Sequence, residues 1–208
     1  MAKSRISGWI IAIGLVLAQV TWAKPISFDF KDPKGVNAMS FVLDSLLEPI
    51  MGLASGISGT VQFDPEKPEA TTGTIVVSTK SLHFENQGME QTLQKDEWLD
   101  VEAYPEISFK VKKVADVKRD SNKPIEMKIT GDFTCHGVTK EITVPVKASY
   151  LPDRAKDRGR LKGDLLVLRS NFTIKRTDFN IKPDMTDEVV ANDIEIRVSI
   201  VGTAKAEG

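Results

Sequence analysis

The sequence predicts an all-β fold: eight or nine antiparallel strands in one sheet, closed as a barrel or folded as a sandwich, with one short helix. Three observations predict it. Apolar residues recur with period two in segment after segment, which is the strand signal. The connections between those segments carry turn chemistry rather than the helical crossovers that parallel strands need. Only one stretch, residues 88–98 (GMEQTLQKDEW), is built from helix formers.

Taken in order, Ile26, Phe28 and Phe30 alternate with Ser27 and Asp29, and Ile57, Gly59, Val61 and Phe63 alternate with Ser58, Thr60 and Gln62. The alternation returns at Ile107/Phe109/Val111, Ile125/Met127/Ile129, Ile142/Val144/Val146/Ala148 and Ile194/Ile196/Val198/Ile200. Further strands are expected within 36–43, 73–79 and 161–176. One-sided strands of this kind form an antiparallel sheet with a wet and a dry face, and a sheet this long must close or fold over. The run Phe63-Asp64-Pro65-Glu66-Lys67-Pro68 reads as a hairpin connection. So does Thr134-Cys135-His136-Gly137-Val138, whose Gly suits a turn with positive φ. Residues 152–160 (PDRAKDRGR) read as a solvated hairpin tip in which Asp153 and Asp157 dilute the basic charge. Residues 46–53 (LLEPIMGL) stand apart: an apolar loop between strands, in which Pro49 and Gly52 argue against a regular helix.

Length and composition bound the rest. The chain has 208 residues, 28 Lys+Arg against 29 Asp+Glu, a formal net charge of −1 and one cysteine, Cys135. One domain is the expectation at roughly 100–200 residues per domain. A near-neutral chain with no basic stripe is not the footprint of a nucleic-acid binder. With 41% hydrophobic and 27% charged residues, it is neither disordered nor polytopic.

Residues 1–23 are expected to be a secretory signal, and residues 24–208 the mature domain. Lys3 and Arg5 precede an uncharged, mostly apolar run over 8–20, and Thr21-Trp22-Ala23 offers a cleavage site after Ala23. The run is shorter than the ~20 apolar residues that span a bilayer. A periplasmic or secreted location follows, and a lone cysteine cannot make an internal disulfide there.

Catalytic chemistry finds little support. The chain has two histidines, His83 and His136. Cys135 adjoins His136, but neighbours on a strand or tight turn point apart, so they do not form a nucleophile–base pair. No zinc-ligand spacing, haem-attachment motif, phosphate loop, dinucleotide fingerprint or nucleophile elbow is present. Adjacent acids such as Asp96/Glu97 and Asp187/Glu188 read as solvated pairs. No enzymatic activity, metal or cofactor is expected.

Four ordered motifs carry a family resemblance. They are GTVQFDP at 59–65, WLDVEAYPEISF at 98–109, GDFTCHGVTK at 131–140 leading to Val144-Pro145-Val146, and Arg176-Thr177-Asp178-Phe179 followed by Asp193 and the last strand. Together they resemble the YceI-like polyisoprenoid-binding proteins, over nearly the whole mature chain. Trp98 stands where Phe is usual, Asn180 where Gly is usual, and the apolar insert at 46–53 is longer than the common version.

The resemblance implies an eight-stranded, lipocalin-like barrel whose interior holds an isoprenoid, quinone-type or other long amphiphilic lipid. The expected lining is Phe41, Ile75, Val77, Phe109, Val111, Met127, Ile129, Ile142, Val144, Phe172 and Ile174. Leu46, Leu47, Ile50, Met51 and Leu53 are expected at the mouth, where they would touch a membrane transiently, with Met89, Leu93 and Trp98 plugging the opposite end. Arg176 and Asp178 are assigned a structural role as a surface pair. Two other readings compete: a ligand-free secreted, stress-associated barrel acting through its surface, and an enzyme with a metal at His83 or His136. The oligomeric state stays open, a dimer included.

Overall fold

The computed structural model describes residues 24–204, apart from 33, 122, 160 and 161. The expected signal segment, residues 1–23, lies outside the described residues. Eleven strands form one antiparallel sheet: β1 (Ile26–Asp29), β2 (Ala38–Leu43), β3 (Ile50–Ala54), β4 (Ile57–Phe63), β5 (Thr72–Ser78), β6 (Leu82–His83), β7 (Glu106–Lys118), β8 (Ile125–Cys135), β9 (Val138–Leu151), β10 (Leu165–Lys175) and β11 (Asp193–Thr203).

Neighbours run β1-β4-β5-β7-β8-β9-β10-β11, and β11 returns to β1 through Asp29↔Thr203, which closes a ring of eight strands. The remaining three are continuations. β2 follows β1 along the same edge of β11, pairing Ala38↔Ser199 to Val42↔Glu195. β3 precedes β4 on the same pass and lies against β2, and β6 follows β5 and lies against β3. Three chain passes are therefore each broken in two, and β2, β3 and β6 form a flap beyond the ring.

Two of these breaks have a clear device. Between β1 and β2 the buried Asn37 donates to the carbonyls of Phe30 (3.2 Å) and Val201 (3.2 Å), and its Oδ1 accepts from Val201 N (2.9 Å). A 3-10 turn at Thr79–Ser81 separates β5 from β6. The β8–β9 connection is a two-residue turn in which His136 (φ 48°) and Gly137 (φ 72°) both take positive φ, the backbone that a twisted hairpin requires.

The ring strands show the expected two faces. Along β8, Met127, Ile129, Phe133 and Cys135 are buried while Glu126 and Lys128 are exposed. Two expectations are corrected. Half of the 46–53 loop is strand β3, and the helix α1 spans Gln87–Gln94 rather than 88–98. Asn86 caps α1 by accepting from Gly88 N (2.9 Å) and Met89 N (3.3 Å). The chain then turns, Leu99 N donating to Leu93 O (3.0 Å), which brings Trp98 and Leu99 back under the helix.

The face assignment is testable. Met127 is 3% exposed, so Met127→Asp places an unpaired charge in the core and lowers stability by about 3 kcal/mol or more. Lys110→Thr, on the outer wall, changes it by less than about 0.5 kcal/mol. Equal losses in urea denaturation would contradict the assignment.

Candidate ligand cavity

Because one face of every ring strand is apolar, closing the ring produces an apolar interior, and that interior is not filled. A cavity of about 220 Å³ remains. Its walls run from Leu93, Trp98 and Leu99 at the end carrying α1 and the β8–β9 turn to Val61, Phe63 and Thr71 at the other end, so it is long and narrow. Ligand sites are commonly about 300–1,000 Å³; this one suits a slender chain. Apolar cavities of about 150 Å³ stay dry and take up apolar guests.

Most residues named from the sequence meet at this cavity. Phe41, Ile50, Ile75, Val77, Phe109, Val111, Met127, Ile129, Val144, Phe172 and Ile174 line it. Ile142 packs against the core without lining the cavity, being nearer the end of β9. Leu47 (65% exposed) and Met51 (69% exposed) point to solvent. Leu93 and Trp98 line the same end as the flap, so they do not plug an end opposite to it.

Strand β3 is unusual in its sizes. Its inward positions include Gly52 and Ala54, and its outward ones are Met51 and Leu53. The reason lies across the ladder: a Cβ at Gly52 would fall 2.2 Å from the Phe41 ring, which occupies the inner space. Phe41 in turn meets Phe84 edge-on, ring centroids 5.3 Å apart.

The cavity end beside β10 is closed by a buried charge. Arg176 was expected to pair with Asp178 at the surface; instead it is 1% exposed, and Asp178 faces Lys140 at 3.7 Å. The period of two ends where the chain enters a 3-10 turn at Arg176–Phe179, so residues two apart no longer share a face. Arg176 donates to the carbonyls of Ile181 (2.7 Å), Lys182, Met185 (3.1 Å) and Val190 (3.1 Å), which pins the whole connection to β11. Nothing in the alternation pattern signalled this role.

Other reactive groups are occupied or inert. Cys135 lines the cavity at 4% exposure, and burial pushes its thiol up to about 12. His136 Nδ1 lies 3.0 Å from Phe179 O, and its ring meets Tyr104 edge-on at 4.8 Å. His83 Nδ1 is 2.6 Å from Glu90 Oε2. Among the described residues no three metal-ligating side chains converge.

The YceI-like domain family matches residues 32–202. The chain belongs to that family. Protein YceI of Escherichia coli O157:H7 is 27% identical over 195 residues, covering 91% of this chain and 95% of that protein. The crystal structure of BcnA from Burkholderia cenocepacia shares the fold, with TM-score 0.64 and 20% identity over 79% of this chain and 95% of that one. A polyisoprenoid-binding domain from Saccharophagus degradans also shares it, with TM-score 0.60 and 11% identity over 88% of this chain and all of its own. Asn180 takes a left-handed conformation (φ 55°) at the end of the Arg176–Phe179 turn, and Asn is among the few residues that tolerate it.

Two outcomes follow. Arg176→Met leaves several buried carbonyls unpaired at about 1–3 kcal/mol each, so urea denaturation should show a loss of roughly 3 kcal/mol or more. A loss under about 0.5 kcal/mol, as at an ordinary surface site, would contradict the role. Cys135 should resist maleimide at pH 8 in the folded protein and react once denatured. The folded thiol stays protonated above its ordinary 9.0, so its contribution to stability is intact below that pH and is lost as pH rises toward 12.

Proposed function

We propose that this protein binds one isoprenoid or other long-chain amphiphilic lipid with the tail inside the barrel, and serves as an exported, periplasmic carrier or store. The observation that carries the reading is the unfilled apolar cavity running along the barrel axis. An eight-stranded barrel has an interior that side chains can just fill, so leaving one hollow forgoes packing at about 24 cal/mol per Å³ of void. Each methylene taken from water contributes about 0.8 kcal/mol, enough for a tail of several isoprene units to bind without a polar anchor. The polyisoprenoid-binding domain of the same fold supports the ligand class. The three-part pattern of residues 1–23 supports export.

Entry at the flap fits the exposed side chains. Leu46 (78% exposed), Leu47, Met51 and Leu53 (54% exposed) project from the β2–β3 hairpin, while Leu43 and Ile50, paired at its loop end, line the cavity. Exposed apolar groups beside an apolar mouth give a lipid a continuous path and a place to touch a membrane transiently. Lipid binding is the role of the protein rather than catalysis, and a quinone-type ligand belongs to the same class.

Trp98 lines the cavity, and the other two tryptophans, Trp9 and Trp22, lie in the segment proposed to be cleaved. Titrating the mature protein with a fifteen-carbon isoprenol should therefore shift Trp98 emission saturably. Leu47→Ser with Met51→Ser should slow uptake while the melting temperature moves by no more than a few degrees, both sites being exposed. Emission unchanged at saturating isoprenol would contradict the reading.

A further inference from the structure

We infer that this chain associates head to tail with a second copy of itself: the acidic, apolar tip of the β2–β3 hairpin of one copy seats in a basic hollow on the outer wall of the next. The inference does not depend on what the barrel interior holds.

The hollow is a concavity of about 840 Å³ on the outer face of β7–β11. Five successive strands supply its cations, Lys118, Lys128, Lys147, Arg169 and Arg197, against the acids Asp116 and Glu126. Both acids are already used, Asp116 by Lys128 (2.8 Å) and Glu126 by Lys147 (2.8 Å). Lys118 acts on these two carboxylates only through space. Arg169 reaches the Ser199 hydroxyl at 2.8 Å, and Arg197 has no carboxylate partner among the described residues. Lys147 and Arg169 are direct cross-strand neighbours, and like charges so placed destabilise a sheet. Val117 and Pro145 add apolar surface between the charges.

The hairpin tip has the opposite character. Between Ala38 and Ala54 the chain contains two acids, Asp44 and Glu48, and no Lys or Arg. Both are exposed, as are Leu46, Leu47, Met51 and Leu53 around them. Neither acid has a cationic partner among the described residues. Glu188 and Val189 on the neighbouring connection are exposed too and extend the same surface, held beside the tip by Leu47 N on Glu188 O (3.0 Å). An exposed apolar cluster of this kind marks an interaction site.

Each surface lacks what the other offers, and one chain carries both. They cannot meet within it: the hollow opens on the β7–β11 wall, while the tip is tied to the β10–β11 connection at Glu188. Each is therefore satisfied only by another molecule. A lipid surface accounts for the leucines alone: it does not enter the hollow, and its anionic lipids repel Asp44 and Glu48. Seating the tip in the hollow brings two carboxylates to the uncommitted cations, and guanidinium groups match carboxylate oxygens in bidentate geometry. The same step removes the leucines from water. The contact joins two different patches, so it is heterologous and repeats from copy to copy.

The test is sedimentation velocity on the mature protein over a concentration series from about 10 μM to about 1 mM, the range of weak contacts between copies. Association is expected, and it should weaken about tenfold or more when salt is raised from about 0.05 M to about 0.5 M. The hollow variant Lys118→Gln/Arg169→Gln/Arg197→Gln and the tip variant Asp44→Asn/Leu47→Ser/Glu48→Gln should each stay monomeric. An equimolar mixture of the two should form a heterodimer and nothing larger, because the tip of the first still fits the hollow of the second. A control with the same loss of positive charge as the hollow variant, Lys80→Gln/Lys110→Gln/Lys140→Gln, should associate like the parent. All nine sites are exposed, and melting curves confirm that the variants fold. A parent protein that is monomeric throughout the series overturns the inference. Association that survives in the hollow variant assigns the tip to a symmetric tip-to-tip contact and overturns it, and so does an equimolar mixture that stays monomeric. A monomeric parent that floats with phosphatidylglycerol vesicles, while the hollow variant does not, gives the hollow a lipid partner and overturns it as well.

Discussion

The barrel stays closed because one edge of β11 serves two strands at once. Thr203 meets β1, residues 195–199 meet β2, and the chain between them must leave the wall and return without opening it. Asn37 makes this work: buried, it bonds the carbonyl of Phe30 on one side of the excursion and both backbone groups of Val201 on the facing strand. Arg158 reaches Asp32 at 3.5 Å, tying the same excursion to the β9–β10 connection. Backbone amides of Asn37, Lys34 and Val36 hold the Asp32 carboxyl below its ordinary range, against the opposing effect of burial. With the ring closed, the alternation of eight strands turns into an enclosed apolar volume, and the cavity is a consequence of that closure.

A hollow interior then demands seals at both ends, and the two are chemically different. One end is sealed by aromatic packing, with Phe28 and Phe30 fully buried and Tyr150 edge-on to Phe28 at 6.3 Å. The other is sealed by the connection between β10 and β11, which is irregular backbone and would fall apart without Arg176 gathering its carbonyls. A cation hydrogen-bonded to carbonyl oxygens keeps the loop in one conformation, and the Asp187 carboxylate supports its charge electrostatically rather than through a hydrogen bond. The flap is held by the β2, β3 and β6 ladders, by the Phe41–Phe84 contact, and by Leu47 N on Glu188 O (3.0 Å) and Ala191 N on Ser45 Oγ (2.9 Å).

The long strands β7 to β11 were legible from the sequence because their side chains obey the simple rule of apolar inward and polar outward. Met127, Ile129, Val144 and Ile174 could be assigned to the interior for that reason alone. β3 hid itself by inverting size: Gly52 faces inward because Phe41 fills the space, and Met51 and Leu53 face solvent, so no alternation of polarity exists to be read. Arg176 was misplaced because strand spacing was carried one residue too far, into a 3-10 turn.

The central claim is that the barrel interior is a lipid site rather than a packing defect. Protein exported by its own signal and purified without detergent should, in native mass spectrometry, carry one hydrophobic molecule per chain that denaturation releases at the mass of a long-chain lipid. A single species at the mass of the bare polypeptide, obtained from folded protein at full yield, would contradict it.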